Sequence, residues 1–144
     1  MKTLKWIALL VCLIMVLGCG SPVIKAGDQA TKAWQKLLES IKDTMQKDRQ
    51  KISNDRREWD VLKTTVFQHR AAIMQAGGCE PKPDNGNCTA EFNAVKNRNK
   101  DIRDQYDRLV RVGNSQTQLE ALRPLLNEAE KLTEDFIKLL PAVQ

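Results

Sequence analysis

Between Ala30 and Ala76 the chain contains neither glycine nor proline, and its apolar residues return every seven positions. One column reads Leu38, Met45, Ile52, Trp59, Val66, Ile73, and its companion reads Trp34, Ile41, Asp48, Asp55, Leu62, His69, Ala76. A seven-residue repeat lays one continuous seam along a helix and favours coiled-coil packing. The pattern predicts a single helix over residues 30–76, about 70 Å long at ~1.5 Å rise per residue and closed by Gly77-Gly78. Aromatic residues are only 5% of the chain, so Leu, Ile, Val and Ala must supply the burial, which suits helix seams better than one large globular core.

Helical spacing resumes near Thr89, an N-cap residue with Glu91 in the following turn, and continues through Phe92, Val95, Asn99, Ile102, Tyr106 and Leu109. Gly113-Asn114 interrupts it, and Ser115-Gln116-Thr117-Gln118 offers a capping box for a new start. The last stretch runs through Leu119, Leu122, Leu126, Ala129, Thr133, Phe136 and Leu140 to Pro141, with Pro124 as a kink or a first-turn residue. Leu125, Leu132 and Leu139 add a second apolar column there, wider than one facing helix can cover. The expected fold is all-α: a long antiparallel, coiled-coil-like helical hairpin with a broken second arm (about 89–112 and 115–140). The alternative is a three-helix bundle. The hairpin is preferred because the two later stretches together match the first arm, whereas a three-helix bundle leaves Trp34, Leu38, Ile41 and Met45 uncovered. Each such side chain is worth ~1.5–3 kcal/mol when buried.

The N-terminus reads MKTLKWIALLVCLIMVLGC: Lys2 and Lys5, an apolar run from Trp6 to Leu17, then Gly18 and Cys19. This is the charged region, hydrophobic region and small-residue cleavage zone of an export leader. The run is short of the roughly 20 apolar residues a membrane span needs. Val16-Leu17-Gly18-Cys19 resembles the lipobox of bacterial lipoproteins, and no family resemblance is found for the body. The resemblance implies cleavage after residue 18 and lipid (palmitate among its acyl groups) on Cys19; the helical pattern sets the rest, a tether over 19–29 and a helical domain over 30–144. Gly20 in place of Asp after the cysteine implies an outer-membrane lipoprotein facing the periplasm. The alternative is an uncleaved inner-membrane signal anchor extending through Ile24. Of the 23 basic side chains, Lys2 and Lys5 belong to the leader, so the formal charge falls from +5 to +3. With signs alternating along the body, nucleic acid is not an expected partner.

Export also accounts for the cysteines. Cys12 leaves with the leader, Cys19 takes the lipid, and Cys79 and Cys88 remain as a pair in GGCEPKPDNGNC. An even remainder in an exported chain reads as a disulfide, with Pro81, Pro83 and Asn85-Gly86 turning the chain over 77–88. A zinc site would want further ligands, and the single histidine is His69.

No Ser-His-Asp set, phosphate-binding glycine loop or metal cluster is present, so neither an enzyme nor a cofactor is expected. His69 lies on the seam and reads as packed. Asp48 and Asp55 sit where the seam should be apolar, which loosens it or fixes its register. Beside the seam run Lys42, Arg49, Arg56, Lys63 and Arg70, all seven apart. This column either pairs with Glu128, Glu130, Glu134 and Asp135 on a facing arm, or is a free interaction surface for an anionic partner. The functional expectation is a non-enzymatic envelope lipoprotein acting as a structural or protein-binding element. Its expected partners are the membrane, through the lipid, and a protein or a second copy of itself. A disulfide-tied tip is expected about 70 Å from the anchor, by helix rise. Alternatives are a lysis factor similar to phage spanins in outline, and an inhibitor, exclusion or immunity lipoprotein. Intact-mass analysis of membrane-fraction protein checks the leader: the mature chain is expected to begin at Cys19 with added acyl mass, and Cys19→Ala to lose it.

Overall fold

The computed structural model describes residues 22–79 and 88–140. Among the described residues there are four α-helices and no strand: α1 Pro22–Lys47, α2 Arg56–Gly77, α3 Thr89–Val112 and α4 Gln116–Leu139, with a 3-10 turn at Ser53–Asp55 ahead of α2. The fold is all-α. The leader, Cys19, the residues between the two paired cysteines, and Pro141 lie outside the described residues.

The continuous helix over 30–76 does not form. It starts earlier, at Pro22, whose fixed φ and missing N–H suit a first helical position, so most of the supposed 19–29 tether is helix. It also stops at Lys47. The Asp48 amide still bonds to the Thr44 carbonyl and the Ile52 amide to the Asp48 carbonyl, but Ser53-Asn54-Asp55 then tighten into the 3-10 turn. Short polar side chains offer the backbone local alternatives to the helix ladder, and the Ser53 hydroxyl bonds to the Gln50 carbonyl at 2.9 Å. Ile52 and Trp59, on either side of the reversal, are both buried, so the apolar column continues while the chain turns back.

Consecutive helices pack against each other, and α4 packs extensively on α1, so contacts run around a ring in the order α1, α2, α3, α4. Trp34, Leu38, Ile41 and Met45, which a three-helix arrangement would uncover, are all buried. Leu125 and Leu132 explain their extra column: α4 lies against both α1 and α3, and both leucines pack on the core. Pro124 sits within α4, beyond its first turn, where its ring removes one ladder bond on an exposed face. Helices of 22 to 26 residues are about 33–39 Å long at ~1.5 Å per residue, half the reach of the expected hairpin.

One buried polar layer draws a residue from each helix. The Trp34 indole donates to the Thr133 hydroxyl at 2.6 Å, and Trp34 meets His69 edge-on, with ring centroids 4.7 Å apart. His69 Nε2 lies 3.1 Å from Asn99 Oδ1, so Nε2 carries the proton and donates. His69 is fully enclosed, and burial lowers its pKa from 6.5 to about 4, with nearby Arg98 adding to the fall against the opposing Asn99 hydrogen bond. The folded state therefore favours neutral imidazole. The stability this gives is present above pH 6.5 and is lost as pH falls from 6.5 through about 4, because the unfolded chain binds the proton first. At ~1.4 kcal/mol per pH unit this amounts to about 3 kcal/mol. Denaturant unfolding at a series of pH values should show this loss in the wild type and a flatter profile over the same window in His69→Gln.

Candidate functional site

The end of the molecule opposite Pro22 is formed by the α1–α2 turn and the α3–α4 turn. Asp55, which the heptad pattern places on the seam, is buried and clasps the two turns together. Its Oδ2 accepts from the Asn114 amide and the Ser115 hydroxyl, both at 2.6 Å, and Ser115 Oγ in turn accepts from the Trp59 indole at 2.9 Å. Asp55 stands at the N-cap of α2, but its carboxylate is spent on the other turn and makes no cap bond. A Cβ on Gly113 would lie 2.6 Å from the Leu109 carbonyl and 2.8 Å from the same carboxylate, so the α3–α4 turn needs glycine for room. Asp48 lies half-buried in the α1–α2 turn. Of the two seam aspartates, Asp55 thus fixes a register, between turns rather than between arms.

Beside this clasp, Lys42, Arg49, Arg56 and Lys63 line a groove of about 240 Å³ with Met45 and Gln46. The reversal creates the site. Lys42 lies on α1, Arg49 in the turn, and Arg56 and Lys63 on α2, so residues read as one long stripe converge on a concave patch without a lining carboxylate. Arg70 is not part of it: it lies farther along α2, half-buried, with Nε lacking a hydrogen-bond partner among the described residues.

The expected neutralisation by acids of the later helices does not occur. Glu130 is buried and pairs with Arg103 of α3, Asp135 lies 3.9 Å from Lys138, and Lys63 reaches only Asp60 of its own helix at 3.6 Å. Among the described residues Lys42, Arg49 and Arg56 have no ion-pair partner. Arg56 and Arg57 also occupy the first turn of α2, where the helix dipole favours anions and disfavours cations. Three of the four clustered cations make no ion pair among the described residues, and the groove they line favours negative charge.

A larger groove of about 480 Å³ lies between α3 and α4, with Phe92 and Ile137 in its walls. Its charges are mostly compensated. Arg103 pairs with Glu130 at 2.7 Å through Nε, Lys100 with Asp104 at 3.4 Å, and Lys138 with Asp135, while Lys96 stands over the Phe92 ring at 5.9 Å. Size favours this groove, but uncompensated charge favours the smaller one.

Cys79 and Cys88 form the expected disulfide, with S–S 2.03 Å and Cα–Cα 6.1 Å. Glu91 lies beside the two sulfurs, but the bond consumes both thiolates, so this trio is a disulfide with a neighbouring carboxylate rather than a metal site. The bridge joins α2 to α3 at the Pro22 end, where Gly27 of α1 and Gly77 of α2 both face the Phe136 ring. It is therefore not a tip remote from Cys19, because an even number of helices returns the chain to the end it started from.

The chain matches no protein-family model, no curated protein and no solved structure. Because Arg49 and Arg56 make no ion pair among the described residues, Arg49→Gln and Arg56→Gln should melt within about 0.5 kcal/mol of wild type or slightly above it. Glu130→Gln, which leaves Arg103 without its buried partner, should melt clearly lower in the same thermal scans.

Proposed function

We propose that this chain is an exported, lipid-anchored and non-catalytic envelope protein that binds the acidic face of a protein partner through the groove of Lys42, Arg49, Arg56 and Lys63. In this reading cleavage follows Gly18, Cys19 carries the lipid, and the helical body faces the periplasm from the outer membrane. The observation that carries it is the convergence of four cations around Met45 with no acid lining the groove, at the end of the bundle opposite Pro22. Clustered like charge raises the rate of encounter with an anionic partner, and the apolar Met45 floor adds a short-range contact that simple counter-ions cannot exploit. A non-catalytic role is supported by where the buried titratable groups go: His69, Asp55 and Glu130 are each held by other side chains inside the packing.

The start of α1 favours the lipid anchor over an uncleaved span reaching Ile24. Val23 packs on the core, so a span through this segment would unravel the first turn of the bundle. The groove stands about 39 Å or less from Pro22 by helix rise, a reach suited to a partner close to the same membrane rather than across an envelope. A photo-crosslinking residue at Gln46 in the full-length protein, expressed in its own cell envelope, tests the proposal. A discrete protein adduct that disappears when Arg49→Glu and Arg56→Glu are combined is expected. Adducts to lipid alone, or a protein adduct indifferent to the charge reversals, would overturn it.

A further inference from the structure

Resting on the lipid-anchored reading, we infer that the Pro22 end of the bundle is seated directly on the membrane, with Ile24, Met74 and Leu139 entering the lipid interface. Three steps of chain separate Cys19 from Pro22, and even fully extended they span about 11 Å. A lipid on Cys19 therefore holds the first turn of α1 at the headgroups, and the end face of the bundle meets them too.

That end face is apolar where it has no structural reason to be. Among the described residues six large hydrophobic side chains are exposed, and three of them stand within about a turn of this end on three different helices. Ile24 in the first turn of α1 is 51% exposed, Met74 near the end of α2 is 58% exposed, and Leu139 closes α4 at 46%. Ile24 and Met74 line one cleft of about 250 Å³ with Gly27, Ile73 and Gly77, so their apolar surfaces are continuous. An amphipathic surface held at an interface buries such side chains in the boundary between headgroups and acyl chains.

The charges at this end decide between apolar seating and electrostatic attraction. Lys25 and Lys138 are accompanied by Asp28, Glu91 and Asp135, and Lys138 lies within 3.9 Å of Asp135. With acids at least as numerous as bases among the described residues at this end, apolar seating rather than attraction to anionic lipid supplies the contact, and zwitterionic lipid should suffice. The basic groove, at the other end, then points away from the membrane.

The mature protein permits a direct test. Cys12 is lost, Cys19 acylated and Cys79–Cys88 bonded, so one introduced cysteine is the only free thiol. Ile24→Cys, Met74→Cys, Leu139→Cys and, as a control at the far end, Val112→Cys are each labelled with a bimane fluorophore. The full lipidated protein is then placed in phosphatidylcholine vesicles carrying a spin label near the headgroup. Quenching several-fold stronger at the first three positions than at Val112, and unchanged in high salt, is expected. Equal quenching at all four positions overturns the proposal, as does quenching that high salt abolishes. Intact mass read on the same samples separates the two claims. An intact leader in place of an acyl group would defeat the lipoprotein reading. The same quenching pattern, repeated with Cys12→Ser and Cys19→Ser so that the introduced cysteine is again the only free thiol, would still support end-on seating, since the leader delivers the chain to the same Pro22.

Discussion

The Asp55 carboxylate is the constraint on which the arrangement depends. A buried carboxylate oxygen without hydrogen bonds costs several kcal/mol, and Asp55 Oδ2 gains its two by reaching the backbone and side chain of another turn. Hydrogen bonds to a charged group are worth about 1.5–3 kcal/mol. Those of Asp55 tie the start of α2 to the α3–α4 turn, fifty-nine residues away to the Asn114 amide. With that clasp closed, the chain reverses at residues 48–55, α3 and α4 take their places, and both turns share one end of the bundle.

The remaining polar contacts in the core act in the same way. Trp34, His69, Asn99 and Thr133 meet at one level, and sliding any helix by a turn would strand a buried donor or acceptor. Tyr106 adds a bond from its hydroxyl to the Leu119 carbonyl, across the α3–α4 turn, with Arg123 stacked over its ring at 5.2 Å. Apolar seams built from Leu, Ile and Val tolerate sliding, since their contacts are non-directional. Hydrogen bonds between unlike partners do not. The bundle thus takes its stability from apolar burial and its uniqueness from a few polar ties.

The surface features divide along the bundle axis for the same topological reason. The four described helices place Pro22, the disulfide and three exposed apolar side chains at one end. They place both the Asp55 clasp and the basic groove at the other. The apolar end and the basic groove are separated by the length of a helix, so the lipid contact and the partner contact proposed for them do not compete for one surface.

Much of this was legible in the sequence. Helices at about 89–112 and 115–140 follow from spacing and the Gly113-Asn114 break, and the Cys79–Cys88 bridge from the count of cysteines outside the expected leader. The expected caps do not form, since Cys88 rather than Thr89 precedes α3 and the Ser115 hydroxyl goes to Asp55. His69 was recognisable as packed. The reversal at 48–55 was hidden because an apolar column with a period of seven reads the same whether the chain continues or folds back. Ser53-Asn54-Asp55 followed by Glu58 was the available signal, a polar cluster preceding a new helix start, set within the two seam aspartates. Periodicity by itself determined which face of each segment is buried, since that depends on local spacing along the chain. That the basic column folds into a groove, that Arg70 drops out of it, and that the disulfide lies at the Pro22 end is settled only by how the helices pack. Those facts depend on which helix ends meet, and that choice is made by hydrogen bonds between residues far apart in the chain.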